Sequence, residues 1–143
     1  MSGQQIIMNF SVPPAMDDIE VMAQSIVDSL PDDLLEHCAD ITLQIEDMPD
    51  EATEQELDLD DPYELLALFR SGKEIAPGVE SKTADADDVL IVYRRPLLDM
   101  WCESGDDLFS VLRQVIIEEL GRSFEFLDSD IEAMVNTHHQ GLL

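Results

Sequence analysis

Towards the C-terminal end, Glu118, Glu119, Glu125 and Asp128 bring four carboxylates into about three helical turns, with Arg122 among them. An oxygen-rich set of this kind suits hard cations such as Mg²⁺, Mn²⁺ or Ca²⁺. Helical phase opposes a single cluster, because at about 100° per residue Glu118 and Glu119 point to different sides. Arg122 opposes it chemically, since a guanidinium is always protonated and offers five donors but no lone pair to a metal. The spacing favours ion pairs instead: Glu118 to Arg122 is i to i+4, with the acid N-terminal, and Arg122 to Glu125 is i to i+3. An exposed pair of this kind contributes about 0.3 to 0.5 kcal/mol. Glu119 has the chemistry of a general base, but nothing in the sequence supplies an electrophilic partner. Elsewhere the chain is poor in catalytic types. It has no Gly-rich phosphate loop and no Ser/His/Asp set, and its three histidines read as surface residues, His37 at a helix-to-strand junction and His138 and His139 in a fraying tail. Cys38 and Cys102 lack a CxxC spacing and read as small buried thiols rather than a disulfide or a zinc knuckle.

These residues need elements to hold them. Met16, Ile19, Ala23, Ile26, Val27 and Leu30 recur at spacings of three and four, an amphipathic helix introduced by Pro13-Pro14 and ended by Pro31. A short helical turn over Pro31 to His37 follows. Ile41, Leu43 and Ile45 alternate with polar residues, the period of a half-buried strand. Glu46 to Asp61 is acidic and reads as loop, and with no glycine it cannot be an EF-hand. Asp61 to Phe69 reads as a short helix, with Asp61 as N-cap and Pro62 at the first position. Ser71-Gly72 and Pro77-Gly78 mark a long turn region. Val89 to Tyr93 is apolar at successive positions, an inner strand covered on both faces. Arg94-Arg95 stops it, and Pro96 opens a helix through Leu97, Leu98, Met100 and Trp101. Asp106 or Asp107 caps the longest helix, Asp107 to Gly121, whose stripe of Leu108, Val111, Leu112, Val115, Ile116 and Leu120 makes it the core helix. Ser129 caps a last helix, with Glu132 completing a capping box. The order predicts an α+β domain, a small sheet packed on a long core helix with additional helices.

The 143 residues carry 33 acidic and 7 basic side chains, a net charge of −26, and the first basic residue is Arg70. Such a surface repels phosphate backbones and anionic lipid, which excludes nucleic-acid and membrane partners and points to cationic ones. With 45% hydrophobic residues the chain is too apolar for disorder. It lacks both a basic leader and a run of about 20 apolar residues, so a single cytoplasmic domain over 1–143, with its core at about 10–135, is expected.

The order Asp61-Pro-Tyr-Glu-Leu, the strand Val89 to Arg94, Arg95-Pro96-Leu-Leu-Asp99, a long helix ending in Glu119-Leu-Gly, and then Phe124, Asp128 and Ser129-Asp130-Ile131 resembles the small zincin-like metallopeptidase family of bacteria. The resemblance covers Phe10 to Val135 and implies a minimal zincin-like fold. Members carry an HExxHHFGxSD-type motif on the core helix, in which two histidines bind Zn²⁺ and the glutamate polarises a metal-bound water. Laid on that motif, Glu118 stands at the first histidine, Glu119 at the catalytic glutamate, Arg122 at the second histidine, Ser123 at the adjacent histidine, Glu125 at the turn glycine and Asp128 at the third ligand. The resemblance therefore implies a degenerate member without zinc, with Glu118, Arg122 and Asp128 as vestigial metal positions and Glu119 as the motif-equivalent base. It implies binding of a protein or peptide, laid beside the Val89 to Arg94 strand. Two other readings stand beside it: an active metal-dependent peptidase using a carboxylate site or His139, and an acidic, solubility-adapted or decoy domain that binds a basic partner.

Overall fold

A computed structural model describes residues 13–38, 41–70 and 88–141, with side chains to Asn136. Helix α1 (Met16–Asp28) is followed by the single turn α2 (Asp32–Leu35), strand β1 (Ile41–Glu46) and helix α3 (Glu51–Leu57). A 3₁₀ turn (Pro62–Glu64) leads into β2 (Ala67–Arg70), and β3 (Asp88–Tyr93) precedes α4 (Arg94–Ser104), α5 (Leu108–Ser123) and α6 (Asp128–Gly141). The expected turn signals at Gly72 and Pro77 lie outside the described residues. The sheet has the order β1-β3-β2, with β1 parallel and β2 antiparallel to β3.

The apolar periods decide where these elements bury themselves. Ile19, Ala23, Ile26 and Val27 of α1 face Leu108, Val111, Leu112, Val115, Ile116 and Leu120 of α5, and Leu90 and Val92 of β3 complete the same core. In β1, Ile41, Leu43 and Ile45 are half-buried while Thr42 and Gln44 are exposed, the alternation that the sequence predicts. β3 is the inner strand, as its continuous apolar run requires. Its central place removes the expected peptide site, because β1 and β2 occupy both of its flanks and leave no edge there.

Five other expectations are corrected. Glu46 to Asp61 contains the helix α3, which buries no residue and so shows no apolar period. It is held locally by Asp50, whose side chain accepts from Thr53 N at 2.8 Å, and by the paired hydrogen bonds of Arg70 to Glu56 at 2.9 and 2.7 Å. Asp61 does cap Pro62, but the helix ends after one 3₁₀ turn, because the residues beyond it gain more by pairing with β3 as a strand. Helix α4 begins at Arg94, with Pro96 in the first turn, where a missing N–H costs nothing. Two arginines at a helix N-terminus oppose the dipole. Asp47 offsets them, its carboxylate lying 3.1 Å from Arg94 and 2.8 Å from Arg95. The last helix starts at Asp128 rather than behind a Ser129 cap, with the Leu127 carbonyl taking the N–H bonds of Asp130 and Ile131. Cys38 is buried as expected and Cys102 is exposed.

Burial also sets an alkaline limit. The Tyr93 phenol is 1% exposed, and burial with Glu46 nearby pushes it up to about 12. Burial, reinforced by Asp88, pushes the Cys38 thiol up to about 11. In the unfolded chain the two groups ionise near their ordinary values of 10.0 and 9.0, so folding holds them neutral at a growing cost as pH rises. Cys38 and Tyr93 therefore leave stability whole below about pH 9 and lower it between about pH 9 and 12, Tyr93 by roughly 2 to 3 kcal/mol, while above about pH 10 the buried Arg113, lowered to about 10, loses its proton first in the folded chain and offsets part of that fall. Urea midpoints measured across that range check this, and Tyr93→Phe is expected to flatten the upper part of the fall.

Candidate functional site

Helix α5 carries the candidate residues because its buried stripe fixes its rotation. With Leu112, Ile116, Ile117 and Leu120 fully buried, Glu118, Glu119 and Arg122 must sit along its borders with β2 and α6. Asp107 anchors the start of the helix by accepting from Ser110 N at 2.8 Å. Its end is a Schellman arrangement, with Phe126 N donating to Gly121 O at 2.9 Å and Glu125 N to Arg122 O at 3.1 Å. Glu125 takes the left-handed conformation there, at φ 64, a position glycine normally fills. Behind the turn Phe124 stacks on His37 at 4.9 Å and meets Phe69 at 5.0 Å, so the end of α5 is fixed against both α2 and β2. His37 is exposed, as the sequence suggested, yet has this ring partner.

The Glu125 conformation makes a prediction. A left-handed L-residue costs about 1 to 2 kcal/mol and glycine loses back about 0.5 to 1 kcal/mol in unfolded-state entropy. Glu125→Gly is expected to raise stability by roughly 0.5 to 1 kcal/mol, read as a higher urea midpoint at unchanged slope. An equal or lower midpoint would contradict it.

Glu119 is held on all sides. Its Oε2 accepts from the backbone N–H of Phe69 at 2.9 Å and from the Ser123 hydroxyl at 3.4 Å, and its Oε1 accepts from Arg122 at 3.2 Å. Its side chain is 14% exposed against 62% for Arg122. The ion pair is therefore Glu119 with Arg122 at i to i+3, and not the expected Glu118 with Arg122. Glu118 is engaged by Gln114 Nε2 at 3.0 Å, one turn earlier. Arg122 shows no pair with Glu125, whose left-handed turn bends the chain away from the helix.

Glu118, Arg122 and Asp128 do come together. They line one groove of about 620 Å³ between α5 and α6, with Gln114, Ile131 and Glu132. The helices approach closely at that point, and a Cβ on Gly121 would lie 2.6 Å from Ile131 Cγ1. A second hollow, of about 120 Å³, lies across Glu118 and Arg122 towards Leu66, Ala67, Met100 and Glu119. The resemblance to the family's motif singled out Glu118, Glu119, Arg122 and Asp128. It missed Leu66 and Met100, which reach the site from distant segments and carry no local mark of it. It also missed Arg113, buried at 5% exposure, which donates to the carbonyls of Val135 and Met134 at 3.0 and 3.1 Å and so ties α6 to α5. Burial lowers the Arg113 guanidinium to about 10, which leaves it protonated at neutral pH.

Among the described residues, no three His, Cys, Asp or Glu side chains are placed to hold a metal, and no helix is long and apolar enough to cross a membrane. The side chains of His138 and His139 lie outside the described residues. Compared with known proteins, the chain matches none of the curated ones. Residues 38–138, well over half its length, match the model of the zincin-like metallopeptidase family, and the chain belongs to that family.

Proposed function

We propose that this protein is a zinc-free, non-hydrolytic member of its family that acts by binding a protein or peptide. The observation that carries the reading is the commitment of Glu119. The carboxylate at the place of the catalytic glutamate spends its oxygens on Phe69 N, Arg122 and Ser123, which leaves it poorly placed to polarise a water. The donor set of the groove does not fit zinc: a guanidinium stands where an imidazole lone pair is required, and Glu118 is a carboxylate already bonded to Gln114. A cation supplied by the chain itself supports a fold that has kept its shape without the metal. The hollows on both sides of Arg122 support a binding role, and a net charge of −26 favours a basic partner over a nucleic acid or a membrane.

Metal analysis and a peptidase assay test the reading together. Protein purified without chelator is expected to hold far less than one equivalent of zinc, and to leave a fluorogenic peptide library uncut with or without added Zn²⁺. Stoichiometric zinc, or cleavage abolished by both chelator and Glu119→Gln, would overturn it and favour a working hydrolase.

A further inference from the structure

Three hollows in this molecule adjoin one another. The outermost, about 400 Å³, is lined by Tyr63, Leu66, Pro96 and Met100, with Asp99 and Glu103 at its rim. It shares Leu66 and Met100 with the inner hollow beside Glu119, and the inner hollow shares Glu118 and Arg122 with the groove between α5 and α6. The result is one trench that is apolar at the α4 end and acidic at the α6 end. Tyr63 and Met100 are 39% and 45% exposed, large apolar side chains left in water although the core lies directly beneath them. At the other end Ile131 and Val135 form an apolar wall while Glu118, Asp128 and Glu132 supply carboxylates, a combination that takes the methylene stem and the charged head of a basic side chain at once.

We infer that the trench binds an extended cationic peptide, which sets an apolar side chain between Tyr63 and Met100 and a lysine or arginine against Glu118, Asp128 and Glu132. This rests on the peptide-binding reading above and adds to it the chemistry of the ligand. Charge complementarity selects this occupant. Among the described residues the only cation lining the trench is Arg122, which is 3.2 Å from Glu119 and shares its groove with Glu118 and Asp128, so it offers no net positive field to an acidic ligand. An acidic peptide or a second copy of this polyanion would meet like charge along the whole path.

Fluorescence anisotropy with four labelled, unstructured peptide pools tests the assignment at about 0.15 M salt. The pools contain Leu/Phe with Lys, Leu/Phe with Glu, Gly/Ser with Lys, and Gly/Ser alone. The Leu/Phe-Lys pool is expected to bind about tenfold or more tighter than any other. Met100→Ser should remove the advantage of the apolar residues, and Asp128→Asn with Glu132→Gln the advantage of lysine. All three positions are exposed, and unchanged thermal melts would confirm that the fold is kept. Equal binding of both lysine pools, insensitive to Met100→Ser, would reveal charge attraction alone. That result would overturn the assignment and leave the peptide-binding reading standing. A preference for the Leu/Phe-Glu pool would overturn it as well, and no binding by any pool would overturn both.

Discussion

Raising the NaCl concentration from about 0.01 to 1 M is expected to lift the melting temperature by about 10 °C. Over that range the Debye length shrinks from about 30 Å to 3 Å, and the repulsion among charges fixed on one compact surface is largely screened. The size of the effect follows from the imbalance of 33 acids against 7 bases and from where the acids sit. Few of them are neutralised internally: among the described residues the ion pairs are Arg70 with Glu56, Arg94 and Arg95 with Asp47, and Arg122 with Glu119. Screening the remainder by roughly 3 kcal/mol corresponds to a shift of about 10 °C for a domain of this size. NaCl is the proper salt, since sulfate would add stabilisation by surface exclusion. Scanning calorimetry or a CD melt at fixed pH reads the effect. A flat or falling melting temperature would mean that the acids are compensated by pairs other than these.

The second large effect concerns the groove between α5 and α6. The double substitution Glu118→His with Arg122→His places two imidazoles one turn apart on α5, facing the groove that Asp128 already lines. Two imidazoles and a carboxylate around one cavity form a zinc donor set. Removing the guanidinium also takes away the charge that repels a dication. Affinity for Zn²⁺ is expected to rise by about a hundredfold to a thousandfold over the unsubstituted protein, measured by competition with a chromogenic chelator near neutral pH. Binding should weaken again when Asp128→Ala is added. Arg122→Ala alone is expected to gain little, because the imidazoles and not merely the absence of a cation supply the lone pairs. Tight, stoichiometric zinc in the unsubstituted protein, or no gain in the double variant, would contradict this account of the groove.

The parts of this structure legible in the sequence are those where one period fixes one environment. α1, β1, β3 and α5 each repeat apolar residues at helical or strand spacing, or run apolar throughout, and each forms where expected. α3 escaped because it buries nothing: its stability lies in a cap at Asp50 and in Arg70 reaching back from β2, and neither leaves an apolar pattern. β2 escaped for the opposite reason. Leu65 to Phe69 is apolar without period, and whether such a run coils or extends is decided by a partner strand some twenty residues further on. The candidate residues on α5 and at the start of α6 were named by the resemblance to the family's motif, whereas helical phase taken alone opposed a single cluster. Their pairing was not legible, since Gln114 claims Glu118 and leaves Arg122 to Glu119. The apolar end of the trench was invisible for the same reason as β2, because Tyr63, Leu66 and Met100 meet only through the tertiary fold.

The hydrogen bond from Phe69 to Glu119 has a consequence for the sheet edge. β2 is an edge strand, and in its register with β3 the N–H of Phe69 points away from the sheet, where a strand of another molecule would dock. A carboxylate fixed 2.9 Å from that amide takes the donor an intruding strand would need and meets its carbonyl oxygens with negative charge. Glu119 thus caps the exposed edge of β2 against the strand pairing that fibril-like stacking would require.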